Sequence, residues 1–167
     1  MLIRNEGPKD YKAVHAVNSA AFETPAEANL VEVIRHDARP IISLVAEKKG
    51  EIVGHILFSP VSLSGHADLK IMGLGPMAVA PAHQGLGIGS ALVRAGLEMC
   101  KELGAGTVIV LGHPGYYPRF GFSPSAPFGI RCEYEVLEEA FMVLELQPGY
   151  LKNASGTIQY HAAFNDV

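Results

Sequence analysis

At 167 residues the chain has the length of one domain, spanning 1–167. A chain this long buries about 70% of the surface its unfolded form exposes, so its core needs no disulfide or metal. Apolar residues at 49% and charged residues at 18% exclude a disordered chain, and their even mixing excludes a membrane-spanning helix. With 17 acidic against 13 basic residues, a net charge of −4, there is no general attraction for nucleic acid or anionic lipid. Neither nucleic acid nor membrane is therefore expected as a partner. The opening MLIRNEGPKD lacks the apolar stretch and cleavage site of a signal peptide. Cys100 and Cys132 stand far apart, and Cys100 reads as a small core hydrophobe rather than a reactive thiol. A reduced, cytoplasmic protein is expected.

In chain order, Leu2–Asn5 reads as a first strand. Pro8 and Asp10 open an amphipathic helix toward Phe22. Thr24 and Pro25 start a second helix as N-cap and first helical residue, with Leu30, Val31, Val33 and Ile34 as its apolar positions to about Arg35. Residues 41–48 and 51–58 read as a hairpin turning at Lys49–Gly50, followed by a polar connection over 62–69. Ile71–Val79 is apolar throughout, as a strand buried on both faces should be. A loop over 81–89 leads into the clearest helix, 90–103, with Leu92, Gly96, Met99, Cys100 and Leu103 at 3.6-residue spacing. Gly104–Gly106 stops that helix and Thr107–Leu111 is a second buried strand. A helical turn over 116–120 and two further strands, 140–146 and 157–160, complete the chain. The unit from Ile71 to Leu111 is long enough for a right-handed crossover, so its two strands pair in parallel while the hairpins pair antiparallel. The fold class is α/β (an α+β mixed sheet), a central mixed sheet with helices on both faces.

The segment Val79-Ala-Pro-Ala-His-Gln-Gly-Leu-Gly-Ile-Gly-Ser90 joins a buried strand to a helix. Glycines let main-chain amides approach a ligand, and the free N–H groups of a helix start, aided by the helix dipole, form an anion site that phosphate commonly fills. The spacing Gly85-x-Gly87-x-Gly89 is not the dinucleotide G-x-G-x-x-G, and no Lys-Ser or Lys-Thr follows as in nucleoside-triphosphate loops. No G-x-S-x-G or H-E-x-x-H is present, and no histidine pair has metal-ligand spacing, so no metal is expected.

Gln84-Gly-Leu-Gly87-Ile-Gly89, behind the strand Gly75-Pro-Met-Ala-Val79, resembles the Gln/Arg-x-x-Gly-x-Gly/Ala signature of the GNAT N-acetyltransferase superfamily. Tyr116-Tyr117-Pro-Arg-Phe-Gly121-Phe122 is similar to the Tyr-x-x-x-Gly-Phe element that follows the fifth strand of those enzymes. The order of elements matches along nearly the whole chain. The likeness is closest to small stand-alone bacterial members, extending to Gly54-His-Ile-Leu-Phe-Ser-Pro60 and Leu146-Gln-Pro-Gly149.

The resemblance implies acetyl-CoA as co-substrate and a sheet whose central parallel strands splay apart. Its diphosphate would lie on the amides of Gln84, Gly85, Leu86, Gly87, Ile88, Gly89 and Ser90. Its pantetheine arm would pair with Met77, Ala78 and Val79. It further implies direct attack by a primary amine of a small molecule or peptide, in a ternary complex. A tyrosine would protonate the leaving thiolate: Tyr117, four residues before Gly121, is favoured over Tyr116, since only one of two adjacent rings on a helical turn can face a cleft. Met77 or Ala78 N–H would stabilise the oxyanion. Candidates for the base are Glu27 and Glu32 on the second helix, with His55, Ser59 and His113 elsewhere. The family often has an asparagine where this chain reads Val110-Leu-Gly-His-Pro114, a departure that puts one usual cofactor contact in doubt and leaves open whether His113 replaces it. The acceptor site would be built by the first two helices, the hairpin end near Phe58 and Val61, and the C-terminal strands, whose exposed edge could pair two copies into a homodimer. The rival readings are a non-catalytic acyl-CoA-binding or regulatory module of the same fold, and an unrelated phosphate-binding protein.

Overall fold

The computed structural model describes residues 1–167. The elements are β1 (Leu2–Asn5), α1 (Tyr11–Ala21), α2 (Ala26–Asp37), β2 (Ile42–Lys48), β3 (Glu51–Leu63), β4 (Ile71–Val79), α3 (Ile88–Glu102), β5 (Thr107–Leu111), β6 (Ser123–Pro124), β7 (Ile130–Cys132), β8 (Phe141–Glu145) and β9 (Gly156–Gln159). Short 3-10 turns at Tyr117–Phe120 and Ala162–Asp166 carry residues used below. The main sheet runs β1-β2-β3-β4-β5-β8-β6, and β9 bridges the far end of β3 to β7. β4 and β5 are its central parallel pair, and the β2–β3 hairpin is antiparallel.

Several expectations change. β3 continues to Leu63, because its last residues pair with both the start of β4 and β9. The connection expected over 62–69 therefore begins two residues later, at Ser64. The C-terminal strands β8 and β9 do not form a hairpin: β8 pairs with β5 and β6, and β9 with β3 and β7. β9 is thus bonded on both sides and offers no free edge to a second copy. Pro25 precedes α2 instead of occupying its first turn, and the Thr24 hydroxyl accepts from Ala26 N–H at 3.3 Å.

Helices cover both faces. α3 lays Leu92, Val93, Leu97 and Cys100 on Ile56, Phe58, Met72 and Val108. On the other face α1 and α2 bury Val14, Leu30, Val31 and Ile34 against Val45 and Leu57. A third cluster around Ile71, Ile109, Phe141 and Ile158 anchors the C-terminal strands. α3 sits close to the sheet because Gly96 has no side chain: a Cβ there would lie within the Phe58 ring, 2.6 Å from Cζ. Gly96→Ala should therefore destabilise the fold by about 1–3 kcal/mol through overpacking. With the added Cβ overlapping the Phe58 ring, the cost lies toward the upper part of that range and outweighs the roughly 1 kcal/mol that alanine gains over glycine inside a helix. A lowered urea midpoint with unchanged slope would register it.

Candidate active site

β4 is bonded to β5 only over Ile71–Leu74, opposite 107–110. Beyond Leu74 it runs beside β3 alone. The divergence begins at a bulge: between the pairs Phe58–Leu74 and Ile56–Met77, β4 carries one residue more than β3. Gly75 takes φ 141°, a conformation that favours glycine, and Pro76 has no N–H to offer β5. After the bulge, Ala80 N–H donates to Val53 O at 2.8 Å. By the two-residue alternation of a strand, Ala78 also turns its polar groups to β3, whereas Met77 and Val79 turn theirs toward the opening. Of the two oxyanion donors considered from sequence, Met77 N–H therefore faces the opening and Ala78 N–H does not.

The glycine loop closes the end of this opening. Gly87, at φ 84°, is the residue on which α3 starts. The first intrahelical bond is Ala91 N–H to Gly87 O at 3.1 Å. The N–H groups of residues 85–90 find no main-chain acceptor, so a row of donors and the positive end of the helix dipole point out of the loop. Gln84 Nε2 donates to Val79 O at 3.0 Å and ties the loop back to β4. A cavity of about 450 Å³ lies over these groups, lined by Met77, Ala78, Val79, Gln84, Gly85, Gly87, Ile88, Gly89 and Ser90. Leu86 does not line it; its side chain is 63% exposed, so only its amide could serve there.

Five further residues line it: Tyr116, the alternative weighed in the sequence, and Ala21, Phe22, His83 and Arg119, to which the sequence assigned no role. The Tyr116 hydroxyl lies 2.9 Å from Ser90 Oγ, and the Arg119 guanidinium sits 4.4 Å above the Tyr116 ring. Arg119 at the mouth adds positive charge beside the free amides.

A second cavity, of about 300 Å³, lies beyond Met77 and shares Met77 and Phe22 with the first. Tyr117 lines it, buried to 9% exposure, with its ring packed on Gly112 and Phe122. Burial, and secondarily Tyr116, pushes the Tyr117 hydroxyl up to about 12, so it remains a proton donor at neutral pH. The two tyrosines therefore do not compete for one cleft: Tyr116 faces the loop cavity and Tyr117 the second one.

The acid and histidine candidates separate clearly. Glu27 lines the second cavity, with Oε1 buried and unpartnered. Glu32 is exposed and bonds His15 Nδ1 at 2.9 Å. His113 is exposed and lines neither cavity. Ser59 is buried and reaches neither. Phe58 and Val61 lie in the core, so the hairpin end does not form the second cavity. That role falls to Leu74–Met77 of β4 and to Tyr134, Tyr160 and Phe164.

His55 is fully buried. Asn18 Nδ2 bonds its Nδ1 at 3.1 Å and Ser43 Oγ its Nε2 at 2.8 Å. Because Asn18 Nδ2 is a donor, Nδ1 accepts and Nε2 carries the proton, which fits a neutral ring. Desolvation, and then the charge of Arg35, pushes His55 down to about 3. Arg35 is itself held by both oxygens of Glu6 at 2.8 Å. An imidazole that stays neutral when folded and protonates near its ordinary value when unfolded favours unfolding as pH falls. Stability from this residue should be complete above about pH 6.5 and decline toward pH 3. The expected slope is about 1.4 kcal/mol per pH unit over that window. Urea midpoints between pH 7 and pH 4 should fall more steeply for the wild type than for His55→Gln; parallel curves would contradict this.

No group of three or more His, Cys, Asp and Glu side chains is gathered as a metal site, and no helix is long and apolar enough to cross a membrane. The family model for the "Acetyltransferase (GNAT) family" matches residues 11–122. The chain is 39% identical over 166 residues to the Uncharacterized N-acetyltransferase YhbS of Escherichia coli K12, covering 99% of both chains. It superposes on the crystal structure of E. coli YhbS in complex with CoA with a TM-score of 0.92 at 38% identity, over 98% of this chain and 91% of that one. A GNAT family acetyltransferase from Brucella melitensis in complex with acetyl-CoA gives a TM-score of 0.81 at 38% identity, over 98% and 97% of the two chains. The chain belongs to the GNAT acetyltransferase family, and its mixed sheet with splayed central strands is the fold of that family.

Proposed function

We propose that the protein is an acetyl-CoA-dependent N-acetyltransferase that transfers acetyl to a primary amine by direct attack within a ternary complex, its single domain spanning 1–167. The observation that carries this reading is the continuity of three features: the free amides of residues 85–90, the unpaired edge of β4 at Met77 and Val79, and the second cavity beyond them. A diphosphate suits the first, an amide-bearing arm suits the second as an added strand, and an acceptor suits the third. The two relatives solved with CoA and acetyl-CoA support the choice of ligand.

Acetyl-CoA supplies the acetyl group as an activated thioester. The chain's own groups then have separable tasks. The amides of 85–90 hold the diphosphate, and Met77 and Val79 align the arm. Met77 N–H, which faces the opening, would donate to the oxygen that gains charge when the amine attacks, where a donor is worth most. As the C–N bond forms and the C–S bond breaks, the buried Tyr117 hydroxyl would give its proton to the departing sulfur and regain one from the newly acylated nitrogen. We place this chemistry in the cytoplasm, consistent with Cys100 and Cys132 being unpaired.

Thiol release from acetyl-CoA across a panel of amines and peptides tests the reading. Amine-dependent release supports it. CoA binding with no release would favour a non-catalytic acyl-CoA-binding module, and no CoA binding would favour an unrelated phosphate protein.

A further inference from the structure

The second cavity carries chemistry that the transfer reaction alone does not require. Its walls include five aromatic rings: Phe22, Tyr117, Tyr134, Tyr160 and Phe164. Tyr134, Tyr160 and Phe164 form a continuous stack, with neighbouring ring centroids 5.7 and 5.1 Å apart. The Tyr134 hydroxyl donates to Asn165 Oδ1 at 2.7 Å, and the turn Ala162–Asp166 packs on α2, so the stack is fixed from both ends. Among these rings stands one charged side chain, Glu27, and no Lys, Arg or His lines the cavity. Its Oε1 is shielded from solvent and bonds nothing in the protein. A buried polar atom without a partner is costly, and a binding site is a common reason to keep one.

Resting on the proposed reading for the identity of this cavity as the acceptor site, we infer that it selects a primary amine borne on an apolar, preferably aromatic, body and lacking a carboxylate beside the nitrogen. The ammonium pairs with Glu27 Oε1 and lies against the ring faces, which attract cations. The apolar body packs among Tyr134, Tyr160 and Phe164. An α-amino acid is rejected because its carboxylate would enter an aromatic pocket that has no cation to receive it and already holds Glu27.

The test compares three ligands with the same ring: 2-phenylethylamine, 2-phenylethanol and phenylalanine. Each is titrated calorimetrically into the protein with and without CoA. The amine should bind at least about tenfold tighter than the alcohol, the usual worth of a charge-assisted hydrogen bond, and phenylalanine should bind weakest. In Glu27→Gln the preference for amine over alcohol should vanish. Equal binding of amine and alcohol, tighter binding of phenylalanine, no amine binding, or a preference that survives in Glu27→Gln would each overturn the inference. The wild-type series decides the matter even if the variant folds poorly. A parallel thiol-release assay separates the two readings: an amine that binds as described yet is never acetylated sinks the transfer reaction and leaves the pocket assignment standing. Acetylation of phenylalanine as efficient as that of phenylethylamine does the reverse.

Discussion

Tyr117→Phe should lower kcat by about 10²–10⁴-fold, the usual worth of a positioned general acid, with CoA affinity nearly intact. The substitution removes one oxygen and keeps the ring that packs on Gly112, Phe122 and Phe120, so the fold should be preserved. Tyr117 also sits in the second cavity and outside the amide loop, which is why the loss should fall on turnover. Burial raises its hydroxyl to about 12, which keeps the proton on the donor through the whole neutral range. The wild-type rate should accordingly show no falling limb from this group until pH approaches that value. Thiol-release kinetics from pH 6 to pH 10 check both points. A variant with full rate at every pH would assign the acid to another group, such as Tyr116, which is bonded to Ser90 at the loop cavity.

Gly87→Trp should abolish measurable CoA binding, a weakening of more than about hundredfold. Two effects combine. Gly87 lies at φ 84°, where a residue with a Cβ pays about 1–2 kcal/mol. Gly87 also lines the loop cavity, with no atom within 4 Å of where a Cβ would stand, so an indole there would add bulk at the cavity wall where the diphosphate is proposed to lie. Gly87→Ala separates the two, since it carries the backbone strain with little bulk and should retain most of the affinity. Thermal shift with CoA reads both variants: a hundredfold excess over Kd stabilises the wild type by about 2.7 kcal/mol, and the indole variant should show no such gain. Undiminished binding by Gly87→Trp would remove the loop from the site.

The parts of this site that were legible in the sequence are those in which neighbouring residues share one task. The alternating glycines before a 3.6-residue apolar pattern announced the loop and α3, and the unbroken apolar run announced β4. The loss of pairing between β4 and β5 after Leu74 depends on a register with β3 that spacing alone does not fix. β6 and β7, of two and three residues, are too short to carry a period. Pro60 and Ser62 interrupt the alternation of β3, yet the strand continues because β9 pairs with its far end.

The second cavity was the least legible part. Tyr134, Tyr160 and Phe164 come together by tertiary folding from segments with no shared pattern. Glu27 did carry a readable signal. It lies three, four and seven residues before Leu30, Val31 and Ile34, on the apolar stripe of α2, where a surface carboxylate has no reason to be. Glu32, five residues on, is turned about 140° away from it and pairs with His15 at the surface.

The central claim is that the main-chain amides of residues 85–90 grip the diphosphate of CoA while Met77 and Val79 pair with its arm. The most direct test is a titration of ¹⁵N-labelled protein with acetyl-CoA followed by amide NMR shifts. The account predicts the largest changes at the N–H groups of residues 85–90, with Met77 and Val79 next and the Ala78 amide, already bonded to β3, moving less. Saturable binding that leaves the loop amides unmoved and shifts another face of the protein would contradict it.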